Sequence, residues 1–357
     1  MTNRRRSTAT FRPNLSAASD RSAGNVQVRP ICPWDDEIVT TVEDAFKWAR
    51  IHAVRHMAAC ERADLRWGET SITEIVTARA AEAVTVVPFT QRAEALSGAD
   101  WIWWWVDHRG AYGMLVQAKR VTVTWSKWHF GFDYPKGTGG QRTTLMSTAS
   151  ALGVLPVYAL YLGSGDYRAW ERCPDGHRNG RCLQCVKRSV SLMPALLANE
   201  LLVDNAATTY EQSVALEDLW KPTTTGAMLI PALKRQLAPD LSEFLKKQQD
   251  GTRAVTRSMI DRVLRARAGA FGEAPTIAAS AVNDGDHDRL GPVFGDLPDD
   301  SGHWGLNYFE HTLSPLRHAP PGYVLEIEAG DYDADYLASD MPDNVAGIVV
   351  VRLYQRG

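Results

Sequence analysis

The chain has 357 residues, of which 45% are apolar and 23% charged, with a formal net charge of −3, an ordinary globular balance with room for one large domain or two smaller ones. The apolar run Trp101–Val106, unsurpassed in length in the chain, is far too short to cross a bilayer, and five cysteines over this length do not make a disulfide scaffold. The start, MTNRRRSTATFRP, is basic but lacks the apolar core of a secretory signal, so a soluble cytoplasmic protein is expected.

Residues 1–30 carry six Arg against one Asp and read as a flexible basic tail. From Thr41, TVEDAFKWARIHAVRHMAACERAD places Phe46, Ala49, Ala53 and Met57 at helical spacing, with Thr41 as the cap. SITEIVTARAAEA starts a second helix, where Ser71 and Glu74 fit the Ser-x-x-Glu capping box. VTVVPF (84–89) reads as a strand, DWIWWWVD (100–107) as a second, HRGAYG as the turn after it and MLVQAKRVTVTW (114–125) as a third. After the Gly-rich PKGTGG a helix is expected over 141–152, then a fourth strand, VLPVYALYLG (154–163).

Beyond residue 200 the periodicity weakens. Helical stretches are expected near 211–220 and across 229–270. Residues 232–268 carry nine Lys/Arg against four acids, while 272–343 carry fifteen acids against Arg289 and Arg317. A polyanionic partner would use the tail and the basic helix and avoid the acidic region, although a charge run also serves simply as a solvated face. A Gly/Asp/Pro loop spans 272–302, and YVLEIEA (323–329) and AGIVVVRLY (346–354) read as two closing strands. The order helix, three strands, helix, strand predicts an α/β fold with a mixed sheet.

The chemistry concentrates in GADWIWWWVDHRGAYGMLVQAKRV, residues 98–121. Strand side chains alternate faces, so Gln117 and Lys119 point the same way, roughly 7 Å apart along the strand. Pairing through the turn can bring Asp100 beside them, although the turn length leaves the register open. A carboxylate, an amide oxygen and an ammonium group suit phosphodiester hydrolysis. Mg²⁺ or Mn²⁺ takes oxygen ligands and activates a bound water, and a lysine holds that water or stabilises the transition state. The plainer alternative is a charged strand end with a snorkelling lysine.

GAD…VQAK resembles the PD-(D/E)xK nuclease superfamily, whose signature is an acid, a spacer, and acid-x-Lys on the next strand. More narrowly, ETSIT…GADW…VQAKR…Q…PVYALY is similar to an uncharacterised bacterial family with that core; the resemblance covers about residues 40–190. It implies a restriction-endonuclease-like αβββαβ core with a mixed sheet; the mainly helical C-terminal extension ending in two strands is read from the residues and is not explained by the resemblance. The implied organisation is a tail over 1–30, a core over 31–200 and an extension over 201–357. The implied activity is metal-dependent hydrolysis of nucleic acid, DNA rather than RNA, with a homodimer for double-strand cleavage and a role in bacterial defence. Asp100 and Gln117 would hold Mg²⁺ or Mn²⁺ and Lys119 would assist the water. The second acid of the signature is Gln117 here, which weakens metal binding and leaves open a non-catalytic binding protein on the same fold.

The superfamily often adds a Glu from the first helix. Glu69 and Glu74 compete for that role. Glu74 is already explained by the capping box, so Glu69 is assigned as the third ligand. Gln141 matches a helix position that faces the site and contacts DNA in related nucleases; it also fits an ordinary solvent-facing residue. Trp101, Trp103 and Trp105 share one strand face and suit a core, whereas Trp104 shares the face of Asp100 and is the candidate to stack on a base. Finally, CPDGHRNGRCLQC offers Cys173, His177, Cys182 and Cys185 as four ligands for a closed structural Zn²⁺ site, or else a polar loop with reduced thiols.

Overall fold

Thr41 caps the first helix, α1 (Val42–Arg62), accepting from the Asp44 N–H at 3.1 Å, and Glu43 and Asp44 in the first turn favour the positive end of the helix dipole. Ala45, Phe46, Ala49, Ala53 and Met57 form its buried stripe. The computed structural model describes residues 41–89, 100–124, 127–130, 140–163, 183–198, 212–223, 227, 237–271, 291–298 and 307–353. The basic tail expected at 1–30 and most of the 272–302 loop lie outside these residues.

The second helix, α2 (Glu69–Ala80), starts two residues earlier than expected. Gly68 is its N-cap and no side chain caps it, so the Ser71–Glu74 capping box does not form. A start at Glu69 puts Ser71 and Glu74 inside the helix and Glu69 in the first turn, where a carboxylate suits the dipole.

Among the described residues nine strands form one mixed sheet: β1 (Thr85–Pro88), β2 (Asp100–Asp107), β3 (Gly110–Thr124), β4 (Lys127–Phe130), β5 (Leu155–Leu162), β6 (Val190–Pro194), β7 (Val214–Ala215), β8 (Leu316–Arg317) and β9 (Val345–Arg352). The main path runs β1-β9-β2-β3-β5-β6-β7, with β4 and β8 paired to β3. β2 and β3 form an antiparallel hairpin from Trp101↔Val116 to Asp107↔Gly110. Its turn is shorter than HRGAYG: only His108 and Arg109 lie outside the ladder, and Arg109 N donates to Asp107 Oδ1 at 2.8 Å. Gly110 has φ 151°, and a Cβ there would meet the Arg317 carbonyl oxygen at 2.3 Å, so only glycine lets β8 approach.

α3 (Gln141–Leu152) carries the chain from β3 across to β5, which pairs parallel with β3. The closing strand β9 inserts between β1 and β2, parallel to β2. The C-terminal part of the chain therefore completes the centre of the sheet. On one sheet face Trp103 and Trp105 pack on Phe46 of α1, each 5.9 Å between ring centroids, and Trp105 stacks on Trp220 at 5.7 Å. The opposite face carries Asp100, Trp104, Gln117 and Lys119 by strand alternation.

Two segments depart from the sequence reading. YVLEIEA is helical, as part of α8 (Gly322–Ala329), with Pro321 at the N-cap and Gly330 ending it at φ 77°. Its buried residues, Val324 and Ile327, lie three apart, the helical period, and Leu325 between them is exposed. Residues near 211–220 form β7 and a 3₁₀ turn, Leu216–Asp218. A tertiary contact decides there: Glu217 is buried and accepts from Arg50 of α1 at 2.8 Å. Of the helical stretches expected across 229–270, residues 229–236 lie outside the described residues and the rest holds α5 (Pro239–Lys246) and α6 (Gly251–Phe271). Between α3 and β6 lies the short α4 (Leu183–Lys187), and α7 (Tyr308–Leu313) and α9 (Ala334–Asp340) flank β8 and β9. Among the described residues no helix is long and apolar enough to cross a membrane.

Candidate active site

The hairpin register brings the sequence motif together. Trp101 lies opposite Val116, which sets Asp100 opposite Gln117, and Gln117 Nε2 donates to Asp100 Oδ1 at 3.0 Å. Lys119 follows two residues on and so shares their face. All three are buried, at 2% exposure for Asp100 and 5% for Gln117 and Lys119.

Asp100 is held from a second side by a residue that no sequence pattern singles out. Asn344 Nδ2 donates to Asp100 Oδ2 at 2.9 Å, and the Asn344 carbonyl accepts from the Asp100 backbone N–H at 2.9 Å. Thr148 of α3 donates to Asn344 Oδ1 at 3.2 Å, which fixes which way the amide points. The β2–β9 pairing is irregular at this point: Asp100 faces Val345 but Trp101 faces Gly347. The extra residue bends the ladder where the carboxylate is held, as bulges commonly do at sites. Asn344 lies 244 residues from Asp100, and no local pattern marks an asparagine before a strand as its partner.

Burial pushes the Asp100 carboxyl up to about 6, against the opposing pull of the Gln117 and Asn344 hydrogen bonds and the Lys119 charge. Gln117 Oε1 is buried without a hydrogen-bond partner, an arrangement that ordinarily costs about 1–3 kcal/mol. Lys119 Nζ donates to Gln141 Oε1 at 2.9 Å and lies 5.8 Å from the centroid of the Tyr158 ring. Gln141 is the exposed first residue of α3, whose first turn has no acid and whose N-cap, Gly140, makes no side-chain bond. The positive end of that helix therefore adjoins the lysine.

Asp100, Gln117, Lys119 and Gln141 are thus assembled in one place. Glu69 is not in their hydrogen-bonded group. Its Oε1 accepts from the backbone N–H of Arg120 at 2.6 Å, next along β3 from Lys119, and the Arg120 side chain stands on the other sheet face over Trp67. Glu74 is exposed on α2, away from the motif. Among the described residues no group of three His, Cys, Asp or Glu is arranged to hold a metal. The oxygens that fit a hard divalent cation are those of Asp100 and the orphaned Gln117 Oε1. One carboxylate and one carbonyl match the habit of Mg²⁺, which fills its remaining positions with water and substrate.

Trp104 does not offer its ring to a base. It is fully buried, its Nε1 donates to the Tyr323 hydroxyl of α8 at 2.9 Å, and it packs so closely on Gly113 that a Cβ there would meet its ring at 2.7 Å. The polar-face position in the strand is covered by α8, which the sequence reading placed as a strand. Part of the basic stretch expected to hold nucleic acid turns inward, while Lys246 and Lys247 stay exposed. Arg257 of α6 is buried, burial lowers the Arg262 guanidinium to about 10, and Arg265 pairs with Asp261 at 2.7 Å. Of the four zinc candidates, Cys173, His177 and Cys182 lie outside the described residues; Cys185 is buried in α4 and in no disulfide.

Residues 42–352 match the profile of a family of unknown function, DUF6615. No curated protein and no solved structure shows significant similarity to the chain. The match spans most of the chain, so the protein belongs to this family.

Proposed function

For a member of this family we propose metal-dependent hydrolysis of phosphodiester bonds in nucleic acid, DNA rather than RNA. One observation carries the reading: the buried Gln117 amide donates to the buried Asp100 carboxylate and leaves its own carbonyl oxygen unsatisfied, with the buried Lys119 on the same sheet face. Asp100 and Gln117 Oε1 would hold Mg²⁺ or Mn²⁺, which supplies a Lewis acid and an acidified water. Asn344 and Thr148 keep the Asp100 carboxylate oriented. Lys119, positioned by Gln141, places a positive charge where negative charge builds on a phosphate, and the adjacent start of α3 favours the same anion. Glu69 supports the fold of β3 at Arg120 in this reading. A cytoplasmic setting, a homodimer and a role in defence against foreign DNA complete the proposal, resting on the resemblance to PD-(D/E)xK nucleases.

The second reading is a nucleic-acid-binding protein on the same fold without catalysis, favoured by the single carboxylate at the motif. Plasmid nicking with Mg²⁺ and Mn²⁺ separates the two. Wild type is expected to cleave, and Asp100→Ala and Lys119→Ala each to lose about 10²–10³ in rate. Equal behaviour of the three proteins removes the catalytic assignment.

A further inference from the structure

A second polar site lies between α1 and α2, on the sheet face opposite Asp100. It is an open cavity of about 750 Å³. From α1 it is lined by His52, Arg55 and His56, which at spacings of three and four share one helix face. From α2 come Glu74 and Arg79, with Ile75 and Ala78 as an apolar floor. One turn beyond His56, Cys60 Sγ sits 3.6 Å from His56 Nε2. Two guanidinium groups, two imidazoles and one carboxylate therefore line the groove.

We infer that this groove binds a small phosphate-bearing molecule. Guanidinium groups form planar, bidentate, charge-assisted bonds to phosphate oxygens, and imidazole N–H groups add donors. Glu74 accepts from a ligand hydroxyl or from a protonated phosphate oxygen, and Ile75 and Ala78 cover the ligand's apolar part. Imidazoles four residues apart on a helix also suit a zinc chelate. The cationic neighbours Arg55 and Arg79 oppose a metal ion, and among the described residues no three His, Cys, Asp or Glu are arranged to hold one. Every group named is on the surface of the helix pair, and the site does not depend on the chemistry at Asp100.

The test is an NMR titration of the full chain, following the histidine ring resonances with inorganic phosphate and with sulfate, whose charge is fixed between pH 6 and 8. Saturable shifts of His52 and His56 are expected, with those of His311 and His318 unmoved. Sulfate binding at the same two residues is expected. Arg55→Gln and Arg79→Gln should each weaken it about tenfold, the scale of one charge-assisted hydrogen bond. Thermal unfolding of each variant verifies that it is folded, and Asp100→Ala should bind as wild type does, which separates this site from the nuclease reading. Shifts that do not saturate, that persist in the Arg55→Gln/Arg79→Gln double variant, or that Zn²⁺ alone produces overturn the proposal.

Discussion

Replacing Asp100 by Asn should stabilise the protein at pH 8. The Asp100 carboxyl is held at about 6, against 3.8 for the same group exposed to water, chiefly by burial. A folded-state value above the unfolded one means that the folded protein holds its proton more tightly. Stability is therefore lost as pH rises from about 4 to about 6 and stays low above that. Two pKa units correspond to about 3 kcal/mol. Asn removes this ionisation without emptying the site. The Asn344 Nδ2 donor still finds the side-chain oxygen at 100, and a flip of the Gln117 amide offers its orphaned Oε1 to the new NH₂ group. At pH 8 the variant should melt roughly 5 °C or more above wild type, since 1 kcal/mol moves Tm by about 2–4 °C in a chain of 150–250 residues. At pH 4 the gap should close. Calorimetry of both proteins at pH 4, 6 and 8 without divalent metal is the assay. A variant less stable at pH 8, or a gap that does not change with pH, would refute the claim that this carboxylate is ionised at a cost.

Adding Mg²⁺ or Mn²⁺ at pH 8 should raise the wild-type Tm, by the equivalent of about 2.7 kcal/mol at a concentration 100 times Kd; Gln117→Leu, which removes the orphaned oxygen, should abolish the rise. Asn344→Ala removes one of the two hydrogen bonds that hold the Asp100 carboxyl down, so the acid limb of any metal-dependent activity should move to higher pH, as read from a pH–rate profile. If the variant lowers the rate uniformly at all pH values, Asn344 has only a structural role. Trp104→Ala should cost about 3–5 kcal/mol in urea unfolding, the usual loss for a buried aromatic, while DNA affinity per folded molecule stays unchanged in a fluorescence anisotropy titration.

The parts of the fold governed by local pattern were legible. The α1 stripe from Phe46 to Met57, the hairpin of β2 and β3, and α3 beginning at Gln141 follow from side-chain period and from glycine punctuation. The site was legible only in part: alternation placed Gln117 with Lys119, but a turn read as HRGAYG left the register open, and it is the two-residue turn that sets Asp100 opposite Gln117. What failed depended on distant packing. YVLEIEA has the apolar content of a strand, and only its docking of Val324 and Ile327, with Tyr323 against Trp104, makes it a helix. Trp104 was assigned by the alternation of β2 to the polar face, correctly, but nothing local reveals that a segment more than two hundred residues away covers that face. Asn344 was invisible for the same reason. Ser71 and Glu74 match the capping-box spacing, yet the helix begins at Glu69, whose carboxylate meets the Arg120 backbone; a contact across the fold outweighs a local cap.

The glutamine at 117 has a physical rationale in this setting. A second carboxylate there would stand about where Nε2 now lies, 3.0 Å from Asp100 Oδ1. Two like charges at that distance repel by about 5 kcal/mol even at an effective dielectric constant near 20, so one of the pair would stay protonated or the strand end would open. The amide replaces that repulsion with a donated hydrogen bond and turns its own carbonyl oxygen outward as a neutral ligand. The site then carries one buried negative charge, opposed by Lys119. The consequence for the proposed chemistry is weaker cation binding, because one formal charge is missing. A cation bound this way still satisfies Gln117 Oε1 and removes the burial cost of Asp100, two gains that an exposed carboxylate pair would not supply.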